Sequence, residues 1–207
     1  MLARNSHAAV KLSPATTLEL RLEERAELEW ISRARECRQL VAWFGHLAND
    51  AGRRRATVLG AAGEAPRSVV GVPGEPTVPL GRVEQYLYEP DPAVLAAKLD
   101  GTLAAEHELS LISSGIAYYT AAHRVDDAAL ACFEVRDVLQ FQIKTLKALV
   151  RQLGIGRLEI KKRGVDNDPE RLRKELQLHG DASATLLVTR IAGRVTAIIA
   201  ERIAGSV

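Results

Sequence analysis

Leu158-Glu159-Ile160-Lys161 alternates apolar and polar residues, the period-two pattern of a half-buried strand, within a segment running from Arg157 to Gly164. Upstream, Ile143, Leu146, Leu149, Val150 and Leu153 recur at helical spacing and predict a helix over 142–153, with Lys144, Lys147 and Arg151 as a basic stripe beside the apolar face and Gly154 as its stop. Downstream, Asp168 and Pro169 suit the N-cap and first turn of a helix reaching about Leu178; this start also includes Asn167. Leu130 to Leu139 reads as a strand. Ala184–Ile191 and Arg194–Arg202 are apolar on both faces and joined by Ala192-Gly193, which predicts a hairpin inside a sheet. The second half is thus strand, helix, strand, helix, strand, strand: a compact α/β sandwich.

The first half is patterned differently. Leu28–Ser32, Glu36–Gly45 and Arg54–Leu59 read as short strands, and Val10–Pro14 as the exit of an element begun elsewhere. Three strands with so little helix cannot bury both faces of a sheet, so they are expected to edge a larger one, with Trp30, Trp43 and Phe44 on unpaired strands. Residues 60–81 are rich in Gly and Pro and read as a loop or linker, dividing the chain into 1–60, 61–82 and 83–207. Beyond it, Asp91-Pro92 opens a helix striped by Leu95, Leu99 and Leu103, and a short strand is expected over Ile116–Thr120. The fold class is mixed α/β (α+β).

Charge changes the picture locally. The net charge is only +2, yet between Gln140 and Gly180 ten Lys and Arg face five Asp and Glu. Lys161, Lys162 and Arg163 close a strand, Gly164 permits a turn, and a helix N-terminus follows, so this corner is a candidate phosphate site; a solvated basic turn is the alternative. With Arg157, Lys144, Lys147 and Arg151, these residues form the candidate phosphate-binding set. Tyr88, Tyr118 and Tyr119 lie near turns, where base stacking is the functional option and core or rim packing is preferred.

Several classes are argued against. The five histidines lack metal-ligand spacing, and Cys37 and Cys132 are far apart in apolar company, as in a reducing, cytoplasmic setting. No apolar run is long enough to span a bilayer, so no membrane partner is expected. Gly154-Ile155-Gly156 ends a helix where a dinucleotide loop would open one. Ser113-Ser114-Gly115 is turn chemistry, and Asp126-Asp127 reads as a solvated pair. No catalytic constellation is visible.

Tyr86-Leu87-Tyr88-Glu89-Pro90-Asp91-Pro92, Cys132-Phe133-Glu134-Val135, Leu158 to Asp166 and Ala184 to Arg194 together carry a resemblance. Over residues 83 to 203 the chain resembles the THUMP-like C-terminal domain of bacterial class I S-adenosylmethionine-dependent methyltransferases. Val10–Pro14, Glu27–Ser32 and Glu36–Leu59 resemble the last strands of the methyltransferase domain before it. The resemblance implies an RNA methyltransferase as parent function, with S-adenosylmethionine as cofactor of the full-length family and tRNA or rRNA as partner. The family's cofactor loop does not occur in this sequence, so a catalytically incomplete, RNA-binding module with no cofactor site of its own is expected. About five neutralised phosphates would give a log–log salt slope of about −3 to −4. Joint replacement of Lys161, Lys162 and Arg163 by Ala is expected to weaken RNA binding and spare the fold. The alternative is a non-catalytic scaffold that binds a separate methyltransferase chain, or itself, through the N-terminal sheet edge.

Overall fold

A computed structural model describes residues 5–166 and 168–203; the Asn167 part of the expected helix start lies outside the described residues. The chain forms two mixed sheets with few helices, as the mixed α/β pattern predicts. The first sheet has the order β1-β3-β2-β4-β5, from β1 (Ala8–Leu12), β2 (Ala26–Arg33), β3 (Glu36–Phe44), β4 (Arg54–Leu59) and β5 (Arg67–Gly71). A one-turn helix, α1 (Leu20–Glu23), precedes β2. Two expectations are corrected here. Strands β2 and β3 are not unpaired edges: β3 lies between β1 and β2, and β2 between β3 and β4. Trp30 and Phe44 are buried on them, so neither supplies an exposed docking surface. The Gly/Pro-rich segment is also not all loop, because Arg67-Ser68-Val69-Val70-Gly71 pairs antiparallel with β4.

The second sheet has the order β10-β11-β12-β9-β6-β8-β7. It is built from β6 (Tyr86–Pro90), β7 (Ser110–Leu111), β8 (Tyr119–Ala121), β9 (Leu130–Gln140), β10 (Ile155–Lys162), β11 (Ala182–Ile191) and β12 (Arg194–Arg202). Strands β10 and β11 run parallel; the other neighbours are antiparallel. Between them come α2 (Pro92–Ala97), α3 (Asp100–Glu106), α4 (Ile143–Gln152) and α5 (Pro169–Leu176). The helix expected after Asp91 is broken in two, since Lys98 turns left-handed (φ 58°) after α2. Its cap is as read: the Asp91 side chain accepts from the Ala93 N–H at 2.8 Å. Asp168 caps α5 in the same way, accepting from Glu170 N–H at 3.0 Å. The expected hairpin forms through Ala192 and Gly193, both at positive φ, the conformation a two-residue turn needs.

Among the described residues, three apolar clusters hold the layers. Leu146, Val150, Leu172 and Leu176 of α4 and α5 cover Leu158, Leu186, Val188, Ala197 and Ile199 on one face of β10-β11-β12. On the same sheet's opposite face, Leu87, Tyr118, Phe133, Leu187, Ile198 and Ala200 pack together. The third cluster joins the two sheets: Ala93, Val94, Ala97 and Leu99 meet Leu28, Trp30, Leu40, Ala56 and Val69.

One close approach fixes the start of β10. A methyl group at Gly156 would lie 1.7 Å from the Gly180 carbonyl oxygen, an overlap that only backbone movement could relieve. Gly156→Ala is therefore expected to cost about 1–3 kcal/mol of stability, read from the shift of a urea unfolding midpoint. An unchanged midpoint would show that the two segments are free to separate.

Candidate functional site: a cationic cavity between the sheets

Alternation along β10 sorts its charges. Leu158 and Ile160 face α4 and α5, so Arg157, Glu159 and Lys161 face the other side of the sheet, where Lys161 is in register with Leu187. Arg163, just past the strand, turns to that side too, with its guanidinium 5.0 Å from the Tyr118 ring centroid. Lys162 is exposed and falls on the helix side. The run of three cations is thus split between two faces. Gly164 follows at φ +67° and turns the chain toward α5.

Lys161 and Arg163 converge on one buried carboxylate. Lys161 Nζ donates to Glu89 Oε2 at 2.9 Å and Arg163 Nη2 to Glu89 Oε1 at 3.1 Å. Arg35, from the tight turn between β2 and β3, comes within 3.6 Å of the same carboxylate. Its Nη2 also donates to the main-chain oxygens of Glu89 and Pro90 at 3.1 and 3.0 Å, pinning the first sheet to the end of β6. Arg202 of β12 lies over the Phe133 ring at 5.7 Å, with Lys161 at 6.0 Å from the same ring. Arg202 reaches Glu159 only at 3.9 Å. These groups, with Pro90 and Pro92, line a cavity of about 320 Å³. A neighbouring groove of about 530 Å³ continues along Arg157, Ser183, Thr185, Glu201 and Arg202.

Electrostatics follow from this packing. Burial opposes ionisation of Glu89, but the hydrogen bonds and charges of Lys161 and Arg163 outweigh it and hold the carboxyl below its ordinary range. Burial pulls the Arg35 guanidinium down against the attraction of Glu89 and Asp91, and Arg202 and Arg163 add like-charge repulsion. Among the described residues, Arg35 Nη1 is buried without a hydrogen-bond partner. Burial raises the Tyr118 hydroxyl to about 12, so it stays a neutral donor at physiological pH.

The remaining sequence candidates are placed elsewhere or differently. Lys144, Lys147 and Arg151 ride on α4, across the sheet from this cavity, so the helix stripe and the Lys161–Arg163 pair do not grip one stretch of ligand together. Lys147 is bonded to Gln177, the left-handed residue just past the end of α5. Arg157 is exposed, its Nε donating to Ser183 Oγ at 2.8 Å and its Nη2 to the Asp181 carbonyl at 2.9 Å. Stacking by the tyrosines is corrected: Tyr88, Tyr118 and Tyr119 are all buried. The Tyr88 hydroxyl donates to the His123 carbonyl, and that of Tyr119 donates to Asp100 at 2.6 Å. Nor is Asp127 solvated. It is buried, accepts from the Ala129 N–H, and is paired with Arg67 and His107. Glu106, His107 and Asp127 have metal-ligand atoms within reach of one another, but Arg67 already binds both carboxylates.

Because Lys161 and Arg163 neutralise Glu89, removing both with Lys162 would strand a buried carboxylate, so an intact fold is no longer expected of that triple replacement. Three members of the cluster, Arg35, Glu89 and Arg202, escape local reading of the sequence. Glu89 carries one signal: it is a carboxylate amid the apolar run Tyr86-Leu87-Tyr88, at a position that a strand pattern puts inside.

Two places do not suit S-adenosylmethionine. The Gly154–Gly156 turn is filled by the backbone at Gly180, and the cationic cavity would repel a sulfonium.

Comparison with known proteins places this geometry in context. Residues 130–202, which span β9 to β12 with α4 and α5, match the THUMP domain-like family. The chain is 32% identical over 193 residues to proteins described as uncharacterized S-adenosylmethionine-dependent methyltransferases in two strains of Mycobacterium tuberculosis, CDC 1551 and H37Rv. The match takes in 91% of this chain and 51% of theirs, so the chain spans about half the length of these curated relatives. The fold is shared with a crystal structure from Porphyromonas gingivalis W83, of a protein proposed to be a methyltransferase. The TM-score is 0.76 at 20% identity, covering 95% of this chain and 51% of that one.

Proposed function

We propose that this chain, whose residues 130–202 form a THUMP-like domain, is the RNA-binding part of a cytoplasmic, bacterial, S-adenosylmethionine-dependent RNA methyltransferase. The observation that carries the proposal is the run of cations on the helix-free side of the second sheet, where Arg157 leads along a groove that Glu159 and Glu201 also line to Arg202, Lys161, Arg163 and Arg35. Phosphates of an RNA backbone seated there would position the substrate without reading its sequence. Cofactor binding and methyl transfer are assigned to the part of the relatives' length that this chain does not span.

Internal pairing lowers the expected salt dependence. Glu89 and Glu159 already offset part of the charge, so about three phosphates are neutralised and the log–log slope is about −2, from roughly 0.7 per contact on a single strand. Fluorescence anisotropy with a single-stranded RNA between low and physiological salt measures it. A flat response overturns the proposal. Arg157→Ala should weaken binding more than joint replacement of Lys144, Lys147 and Arg151 by Ala, because only Arg157 lies on that run; the reverse order would move the interface to α4.

A further inference from the structure

We propose that the cavity bounded by Arg35, Glu89, Lys161, Arg163 and Arg202 is a receptor for a phosphate monoester, the terminal phosphate of an RNA strand. This rests on the RNA-binding reading above and goes beyond it in naming an end, where backbone contacts alone would serve any internal stretch.

Charge and donor counts both point that way. Among the residues that line the cavity, four cations (Arg35, Lys161, Arg163 and Arg202) face two carboxylates (Glu89 and Glu159), an excess of two positive charges that buried Asp91, acting on Arg35 from behind the lining, partly offsets. A phosphate monoester carries close to two negative charges at neutral pH, whereas an internal phosphodiester carries one. Donors are also left over. Lys161 and Arg163 each spend donors on Glu89, but both carry more than those bonds use, and Arg202 has only a 3.9 Å approach to Glu159. Arg35, which lines the cavity, keeps its Nη1 buried with no partner among the described residues, an arrangement that costs stability unless a ligand completes it. A monoester offers three terminal oxygens to these donors; a diester offers two. Guanidinium groups in a partly buried site are the side chains best suited to phosphate oxygens.

Glu89 gives the site its form. It gathers Lys161, Arg163 and Arg35 around one point before any ligand arrives, so their mutual repulsion is offset in advance. An entering phosphate therefore meets donors already in position, and the cost of ordering them is not charged to binding.

The test compares three single-stranded RNAs of one sequence, with 5′-phosphate, 3′-phosphate or hydroxyl ends, by fluorescence anisotropy, and follows inorganic phosphate by thermal unfolding. One of the phosphorylated strands is expected to bind about tenfold more tightly than the hydroxyl strand. Arg202→Gln, which removes a half-exposed cation with little internal pairing, should bring that ratio toward one, and inorganic phosphate should raise the Tm of the unsubstituted chain more than that of the variant. Equal affinity for all three strands overturns the monoester site and leaves the RNA-binding reading standing. If no strand binds but inorganic phosphate raises the Tm through Arg202, the cavity is a phosphate site and the RNA reading fails. Absence of both effects overturns both.

Discussion

Glu89→Gln is expected to lower the free energy of unfolding by about 3–5 kcal/mol, because it removes one partner of a buried ionic cluster and leaves the others in place. Lys161 and Arg163 would keep their positions beside a neutral amide, and Arg35 would lose its nearest carboxylate while still tied to the Glu89 and Pro90 carbonyls. Urea denaturation of both proteins measures the difference; a loss under 1 kcal/mol would show that the cations re-solvate freely. The pH dependence gives an independent check. The Glu89 carboxyl is depressed in the folded protein, so over the range just below the ordinary carboxylate pKa the unfolded chain binds more protons. Its contribution to stability is therefore present above about pH 4 and is lost as the pH falls through the lower, folded value. Glu89→Gln should remove part of that acid-side loss and leave a remainder, to which Asp127 contributes. Burial opposes ionisation there too, and the Ala129 N–H, His107 and Arg67 overcome it.

Phe133→Ala is expected to be about as costly, at about 3–5 kcal/mol. The ring is fully buried among Leu87, Tyr118, Leu187 and Ile198, and it is the surface over which Lys161 and Arg202 lie. Truncation opens a cavity in the apolar layer and removes the aromatic face beneath two cations. Phe133→Leu fills most of the space without the π face, so it should restore most of the stability and less of any phosphate-dependent rise in Tm. Equal behaviour of the Ala and Leu variants in denaturation would mean that packing at this position is loose.

What could be read from the residues depended on the range of the interaction. Caps and turns are local, so Asp91, Asp168 and the Ala192-Gly193 hairpin are legible from neighbours alone. The apolar stripe of α4 is equally plain, because Leu146 and Val150 satisfy a single periodicity. Strand β5 is not: a five-residue run flanked by Pro66 and Pro73 looks like loop until β4 supplies its hydrogen bonds. Paired and unpaired strands cannot be distinguished by pattern either, and so β2 and β3, buried at the middle of a sheet, resemble edges. At the cavity, the period-two pattern that predicts β10 also sends Lys162 away from Lys161 and Arg163, although a run of three cations invites treatment as one patch. Arg35, Glu89 and Arg202 are more than fifty residues apart in every pairing, and only the meeting of two sheets brings them together.

The shared cluster beneath α2 bears on how the molecule comes apart. Val94, Ala97 and Leu99, all beyond the Gly/Pro-rich segment, close over Leu28, Trp30 and Leu40 from before it. A protease nicking the exposed stretch at residues 61–66 would cut the chain without cutting the core. The two fragments would stay clasped through that apolar contact, through the β4–β5 ladder that spans the cut, and through the Arg35 bonds to β6.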